Sequence, residues 1–354
     1  MIDLKKISTF NLSQSEKEAF LLERLHNLTE FHLENCQEYN SLMSKFKKVG
    51  VKVESIEDVP FLPVRLFKHV DFLSIPHNKV IKTMTSSGTS GQAVSRIYLD
   101  KETSALQVKV LSRIVSDFIG SRRLPMLVID SKSIVSNRKK FSARTAGVLG
   151  FSMFGRDVEF ALDDDMSLNL DRVREFVGKY KDENILIFGF TFIVWKHFVE
   201  ELERLDTKVN ISNGTLIHGG GWKQIESQSV SNEEYKKRLL NVANIKKVHN
   251  YYGMVEQTGS IFMECEYGFL HASSFSDIII RDHANYDSKG IGKRGLIQLL
   301  SVIPKSYPGH SLLSEDIGKI HGIDDCKCGR KGKYFKVYGR VKNAETRGCS
   351  DTYT

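Results

Sequence analysis

Between Lys82 and Asp100 the chain reads KTMTSSGTSGQAVSRIYLD, an extended entry that runs into small hydroxylated residues and glycines. Thr85, Ser86, Ser87, Thr89 and Ser90 supply hydroxyl donors, while Gly88 and Gly91 let backbone N–H groups approach an anion with no Cβ in the way. Such a run is a phosphate cradle or, taken alone, a solvated turn. No lysine follows Gly91, so the Walker pattern GxxxxGK[ST] is absent and a conventional kinase or GTPase loop is excluded. Further stretches carry chemistry suited to a nucleotide. HNYYGMVEQTG (His249–Gly259) offers a ring at Tyr251 or Tyr252 to stack on a purine and Glu256 to hold Mg²⁺ on phosphate. HGGGW (His218–Trp222) places Gly220 and Gly221 where a flat base can lie against backbone, or forms a plain tight turn. SEDIG (Ser314–Gly318) presents Asp316 to ribose hydroxyls, and Arg340 in GRVKNAETRG (Gly339–Gly348) can reach ribose or phosphate.

A separate set is built from sulfur. Five cysteines are an odd and unevenly spaced number, which favours metal or thiol chemistry over a disulfide framework. Cys265-x5-His271 and Cys326-x-Cys328 provide the Cys₃His ligation that Zn²⁺ takes in closed tetrahedral sites; the alternative is a pair of unbound thiols on a hairpin. Cys36 reads as a structural thiol within the continuation of a helix.

These residues need an α/β scaffold. Ser13 and Glu16 form a capping box ahead of Phe20, Leu21, Leu25 and Leu28, so the first part is helical. VPFLPVRLFK (Val59–Lys68) reads as an extended linker, because two prolines interrupt its apolar residues. Asp100 caps a helix through Leu106, Val110 and Ile114, and LPMLVID (Leu124–Asp130) is a buried strand. DVEFAL (Asp157–Leu162), a helix near Leu170–Tyr180, NILIFGF (Asn184–Phe190), another helix and GTLIHGGG (Gly214–Gly221) continue the alternation, with Ser231 and Glu234 capping the helix before KVHNYYG. That order indicates substantial parallel pairing. Beyond Gly259 the segments become shorter and β-rich. ILIFGFTFIVW (Ile185–Trp195) is too short to span a bilayer and reads as a buried strand and turn. Its Phe188, Phe190, Phe192, Val194 and Trp195 either line a hydrocarbon tunnel or form ordinary core.

At 354 residues and 41% hydrophobic content the chain supports a large core. The formal charge of +8 comes from cations scattered among nearly as many acids, with no nucleic-acid-binding signature, and fits a polyanionic small ligand or an acidic protein partner. The N-terminus lacks an apolar core of signal-peptide length, so a cytoplasmic protein with no transmembrane segment is expected.

Taken in order, SSGTSG, GGG, YYGMVE, SEDIG and GR…RG resemble the core motifs of the adenylate-forming acyl- and aminoacyl-activating superfamily, across nearly the whole chain. MTSSGTSGQAVSRIYLD, NYYGMVEQTGS, YPGHSLLSEDIG and CGRKGKYFKVYGR…RGCSD are most similar to the acyl-protein synthetases of bacterial fatty-acid reductase systems, the LuxE type, with phenylacetate–CoA ligases as next relatives. The resemblance implies the large N-terminal domain of that fold, mixed and partly parallel sheets flanked by helices with a β-rich distal part. It divides the chain into a helical segment packed on the core (1–80), an α/β adenylation core (81–260), a β-rich subdomain with the zinc candidate (261–340) and a hinge-like tail (341–354). It implies ATP and Mg²⁺, attack of a fatty carboxylate on the α-phosphorus, an acyl-adenylate, pyrophosphate release and an acyl reductase or carrier protein as partner. On this resemblance Ser86–Gly91 hold pyrophosphate, Gly220 and Gly221 lie beside adenine, Tyr252 meets the base, Glu256 takes Mg²⁺, Asp316 takes ribose, and Arg340 sits nearby.

Val255 stands where the superfamily usually has a hydroxyl residue, and Glu345 and Thr346 where a hinge lysine is expected. The sequence stops at Thr354, where most members continue into a small lid domain with a catalytic lysine, so the resemblance implies a large domain without that lid. Cys349 in RGCSDTYT matches the cysteine that takes the acyl group in acyl-protein synthetases; Arg347 favours its thiolate and Asp351 opposes it. Two other readings remain open: an AMP-forming ligase delivering a different carboxylic acid to coenzyme A or a carrier-protein thiol, and a non-catalytic nucleotide-binding scaffold.

Overall fold

The computed structural model describes residues 7–50, 52–86, 93–136, 143–222 and 229–341. By contact they divide into two units, one gathering 7–86, 93–117 and 253–341, the other 118–252.

The first unit opens with α1 (Gln14–Asn35), whose capping box forms as the sequence requires: the Ser13 N–H donates to the Glu16 carboxylate at 2.8 Å and the Glu16 N–H to Ser13 Oγ at 3.4 Å. Its inward face is Leu21 and Leu25 together with the polar Gln14, Lys17, Thr29 and His32. Cys36 adopts extended geometry and breaks the helix, so α2 (Gln37–Lys45) starts afresh and the thiol sits at the junction. The Val59–Lys68 segment is only partly the extended linker expected: Leu62–Pro63 form a short strand, β1, but Pro63, with φ of −58°, then opens a 3₁₀ turn over Val64–Lys68. β2 (Lys82–Thr85) and β3 (Arg96–Leu99) pair antiparallel, and the Thr103 N–H donates to Asp100 Oδ1 at 2.7 Å to start α3 (Lys101–Ile119).

The second unit alternates as the apolar runs predict: β4 (Leu124–Ser131), α4 (Ser133–Ser136), α5 (Ala143–Ser152), β5 (Gly155–Leu162), α6 (Leu170–Lys179) and β6 (Ile185–Phe190). The apolar run does not turn after Phe190. It continues as α7 (Thr191–Val194), a π-helical turn over Trp195–Val199 and α8 (Glu200–Arg204). β7 (Gly214–Gly219), α9 (Asn232–Ala243, capped by Ser231) and β8 (Lys247–Tyr252) complete it. Its strands lie in the order β8-β7-β6-β4-β5, all parallel.

The chain then completes the first unit with β9 (Phe262–Glu264), β10 (Leu270–His271), β11 (Ser276–Arg281), β12 (Arg294–Ser301), β13 (Ser311–Ile323) and β14 (Lys333–Arg340). They pair antiparallel in the order β11-β12-β13-β14-β10-β9, and β1 lies parallel on β13. The segments are β-rich as expected, but β13 is 13 residues long, so not all are short.

α1 is fixed to this sheet by charge. Lys17 Nζ lies 3.3 Å and Lys333 Nζ 3.4 Å from the fully buried Asp277 carboxylate, which also accepts from Gln14 Nε2 at 2.6 Å. Burial alone would raise the Asp277 carboxyl, but Lys17, Lys333, Gln14 and the Ile278 N–H outweigh it and hold it below the usual range. The folded chain therefore keeps the charge at a pH where the unfolded chain takes up a proton, at about 4. The stabilisation is complete above that pH and is lost as pH falls through the folded value. Asp277→Asn leaves two lysines facing each other and lowers stability at pH 7 by about 3–5 kcal/mol. Urea denaturation at pH 7 and between about pH 3 and 5 measures both the loss and the flattened acid dependence.

Candidate active site and metal centre

In the first unit Glu256 lies on a 3₁₀ turn over Val255–Gln257 whose backbone is clamped from several sides. The Tyr307 hydroxyl donates to the Glu256 carbonyl at 2.9 Å, and Gln257 Nε2 donates to the carbonyls of Gly309 (2.8 Å) and Leu299 (3.1 Å). A Cβ at Gly309 would meet the Tyr307 ring at 2.3 Å and the Glu256 carbonyl at 2.8 Å, so only glycine permits this approach. The Glu256 side chain is buried, and its carboxylate accepts from Ser95 Oγ at 2.5 Å.

Ser95 belongs to the serine- and glycine-rich Lys82–Asp100 stretch, four residues beyond the expected phosphate cradle at 85–91. The signal that marks it is pairing geometry. The Ser86 N–H donates to the Ser95 carbonyl at 3.1 Å and the Ser95 N–H to Ser86 Oγ at 2.9 Å, extending the β2–β3 ladder beyond the Thr85–Arg96 pair. Thr85 itself is exposed. Ser87, Gly88, Thr89, Ser90, Gly91 and Cys349 lie outside the described residues.

The same unit brings Asp316 and Arg340 together. They are partners across β13 and β14 beside a bulge, with Arg340 Nε donating to Asp316 Oδ1 at 3.0 Å. The Asp316 N–H donates to Ser314 Oγ at 3.2 Å, which orients the head of the strand. A buried carboxylate held by a guanidinium at the end of a long strand suits recognition of a vicinal diol.

In the second unit Gly220 and Gly221 both take positive φ, +93° and +68°. A Cβ at Gly220 would lie 2.8 Å from the Phe190 ring, so the turn after β7 rests directly on that side chain. Thr191 Oγ1 donates to the Gly219 carbonyl at 3.0 Å and faces His218 Nδ1 at 2.9 Å, pinning the strand end; burial holds His218 down to about 3. The two tyrosines part company. Tyr251 packs on Phe151 with centroids 5.2 Å apart and covers Gly219, while strand alternation sends Tyr252 to the opposite face. Phe188, Phe190, Phe192, Val194 and Trp195 are all buried; Phe188 stacks on Phe151 at 4.4 Å and Trp195 on Tyr235 at 5.8 Å. All five pack against neighbouring core side chains.

The sulfur set converges in the first unit. Cys265 directly follows β9, and the Cys265 N–H donates to the Phe269 carbonyl at 2.9 Å across a tight turn that returns the chain to His271 in β10. Cys326 and Cys328 sit on the β13–β14 connection, where Gly329, at φ of +83°, donates its N–H to the Cys326 carbonyl at 2.9 Å. Pairing of β10 with β14 brings the two turns together, with the four ligand atoms within 4.8 Å of one another. Cys265 and Cys326 sulfurs are 4.0 Å apart, and Cys328 Sγ is 3.3 Å from His271 Nε2. Tetrahedral Zn–S and Zn–N bonds of about 2.3 and 2.1 Å place neighbouring ligand atoms roughly 3.5–3.8 Å apart, so the donor set fits zinc with small adjustments. Burial pushes the Cys326 thiol up to about 12 and holds His271 down to about 4, with Arg330 and Lys17 adding to the second effect.

The sequence model of LuxE, acyl-protein synthetase, matches residues 4–354. This chain belongs to that family. The long-chain-fatty-acid–luciferin-component ligase of Vibrio harveyi is 23% identical over 340 residues, covering 91% of this chain and 84% of that one. Its namesake from Aliivibrio fischeri is 19% identical over 331 residues, covering 90% and 84%. Among solved structures, the open conformation of 2-hydroxyisobutyryl-CoA ligase in complex with 2-HIB-AMP and CoA superposes with a TM-score of 0.71 at 18% identity, over 95% of this chain and 78% of that one. That likeness gives the fold, the large domain of adenylate-forming enzymes implied by the order of the motifs. The chain is thus a ligase of the AMP-forming acyl-protein synthetase type, and no helix among the described residues is long and apolar enough to cross a membrane.

Tyr307→Phe removes the donor to the Glu256 carbonyl with little change of shape. Loss of about 1–3 kcal/mol is expected, because the buried carbonyl then lacks that partner, and urea denaturation of the purified variant measures it.

Proposed function

We propose that this LuxE-family chain uses ATP to activate a long-chain fatty acid as the acyl-adenylate and then carries the acyl group as a thioester on Cys349 for delivery to an acyl reductase. The observation that supports adenylation most directly is the Ser95–Glu256 hydrogen bond, which ties a buried acid to the foot of the Ser/Gly/Thr run. A fatty carboxylate oxygen bonds to the α-phosphorus as the α–β phosphoanhydride breaks, and the electron pair leaves with pyrophosphate. By the motif resemblance, Ser86–Gly91 would supply hydroxyl and N–H donors to that growing charge, Asp316 and Arg340 would take the ribose, and Gly220, Gly221 and Tyr252 the adenine. Glu256 would hold Mg²⁺, which when bound neutralises phosphate charge. The Cys349 thiolate then adds to the acyl carbonyl and AMP departs. The long-chain substrate follows the names of the luciferin-component ligases that this chain resembles.

Acid-dependent ATP–pyrophosphate exchange, screened over saturated fatty acids of increasing length, tests the first half. Exchange is expected with long chains and falls by about 10²–10³ in Glu256→Gln; no exchange with any acid sinks the reading. With radioactive acid, Cys349→Ser keeps exchange and loses hydroxylamine-labile labelling of the protein, whereas label that survives the change places the acceptor elsewhere.

We also infer that Cys265, His271, Cys326 and Cys328 hold a structural zinc ion, because two turns 61 residues apart bring three sulfurs and an imidazole within 4.8 Å of one another. The ion would cross-link the β9–β10 hairpin to the β13–β14 connection. Protein purified without chelator should carry about one equivalent of zinc and lose it in Cys326→Ser, with a drop in melting temperature. Less than about half an equivalent in the unchanged protein overturns the assignment.

A further inference from the structure

Tyr39 and Met43 bury α2 in the core of the first unit, and beyond Met43 the chain leaves that core: residues 44–50 are all exposed. The turn they form is nevertheless closed by hydrogen bonds. The Lys47 N–H donates to the Ser44 carbonyl at 3.0 Å and the Lys48 N–H to the Met43 carbonyl at 2.9 Å. That pair of bonds is the Schellman closure of a helix, whose left-handed position usually falls to glycine and whose apolar residue usually folds back on the helix. Neither holds here. Lys47 takes the left-handed position at φ of +53°, and the apolar residues of the turn, Phe46 and Val49, stay 54% and 48% exposed. Lys45, Lys47 and Lys48 pair with no carboxylate among the described residues, whereas the next lysine, Lys52, is paired with Glu54.

The turn leaves apolar surface in water and sets a lysine in strained backbone, and neither serves the fold. We propose that residues 44–50 are a docking tip for an anionic lipid bilayer, with Phe46 and Val49 entering the headgroup layer and Lys45, Lys47 and Lys48 facing lipid phosphates. Charge complementarity requires an anionic occupant, since the tip carries three lysines and no acid. Size decides which one. A stable protein interface takes roughly 20–30 residues from each partner and centres on an anchor that fills a pocket; one exposed turn of seven residues falls well short. A bilayer needs less. Each lysine near an anionic surface contributes about fivefold in binding, and an aromatic ring beside an aliphatic side chain adds apolar burial in the headgroup layer. The inference goes beyond the adenylation reading and does not depend on it; the two are connected in that long-chain fatty acids partition into bilayers.

The test is sedimentation of the full chain, without ATP or fatty acid, with large unilamellar vesicles of phosphatidylcholine alone or with about one-third phosphatidylglycerol. Binding is expected only to the anionic vesicles and should fade as salt rises from about 0.05 to 0.5 M. Changing Lys45, Lys47 and Lys48 together to glutamine should lower the affinity by about 10². Phe46→Ser combined with Val49→Ser should lower it by at least about tenfold, because the apolar burial is lost. Phe46→Trp should shift indole emission to shorter wavelength on anionic vesicles and leave it unshifted on phosphatidylcholine. Lys47→Gly separates docking from folding. Glycine relieves the left-handed backbone, so urea denaturation should show equal or greater stability while vesicle affinity falls about fivefold.

No binding of the unchanged chain to anionic vesicles overturns the inference, and so does equal binding by the triple glutamine variant. Equal binding by the double serine variant, with no emission shift in Phe46→Trp, overturns it as well, since general surface charge would then account for the attraction. Two other occupants have their own signatures. Self-association without lipid that Phe46→Ser abolishes assigns the turn to a second copy of this chain. Binding to poly-glutamate as tight as to vesicles, and indifferent to Phe46→Ser, assigns it to an acidic protein; either result replaces the bilayer and rejects the proposal. Pyrophosphate exchange judges adenylation separately, and its failure would leave the vesicle measurements unaltered.

Discussion

Asp277 has no exposure to water and two lysines within 3.4 Å, and much of the first unit depends on that arrangement. The groups of this cluster come from three distant places. Gln14 and Lys17 lie one turn apart on α1, Asp277 is on β11, and Lys333 opens β14. Two cations against one carboxylate leave an excess of positive charge, which the Glu18 carboxylate, 3.7 Å from Lys333, offsets from the more exposed side. A buried charge that loses one partner is far costlier than the pair is worth, so the helix cannot leave the sheet without exposing or stranding all of them. The N-terminal helix is consequently part of the sheet's foundation despite more than 200 intervening residues.

From that anchor the structure extends along one hairpin. β14 begins at Lys333 and ends at Arg340, a span of eight residues or roughly 25 Å. At its start, the connection from β13 carries Cys326 and Cys328 and is tied back to α1, since Asp324 accepts from the Gln14 N–H at 2.9 Å and from the Gly332 N–H at 2.6 Å. Arg330 on the same connection pairs with Asp117 near the end of α3. At the other end of the hairpin, register sets Arg340 opposite Asp316. The sulfur cluster and the Asp316–Arg340 pair are thus opposite ends of a single antiparallel ladder. Rigidity introduced at the turn bears directly on strand register, and a slip of one residue would send Asp316 to the other face.

How much of this was legible in sequence follows from the range of each interaction. Helix starts were, because Ser13–Glu16, Asp100–Thr103 and Ser231–Glu234 satisfy N–H groups within one turn. The parallel strands were as well, since burial on both faces demands unbroken apolar runs. The sulfur cluster was readable because thiols and imidazole are chemically distinctive even when 61 residues separate them. Pairings of common residues were not. Nothing in a lone serine announces that it will meet Glu256, and Lys17, Asp277 and Lys333 look like ordinary surface charges. The same holds for Arg144 and Asp130, a buried ion pair in the second unit with no marker in either segment. The helix after Phe190 was expected, but its start at Thr191 was not: its first turn is as apolar as the strand before it, so periodicity could not separate them.

The two acids of the first unit show how the fold assigns chemistry to similar side chains. Asp316 faces a guanidinium, which neutralises it in place and leaves a dipolar pair whose remaining acceptor positions suit neutral hydroxyls. Glu256 instead receives the hydroxyl of Ser95, which orients the carboxylate without cancelling its charge. A neutral donor holds direction and preserves electrostatic attraction for a cation; a cationic donor preserves direction alone. Exchanging the two partners would reverse these preferences, leaving Glu256 poorly suited to a cation and Asp316 poorly suited to a diol. On the adenylation reading proposed above, what would distinguish a cation-holding carboxylate from a sugar-holding one is thus the charge of the donor beside it. That choice depends on tertiary pairing: β13 with β14 for one acid, and the return strand of the β2–β3 hairpin for the other.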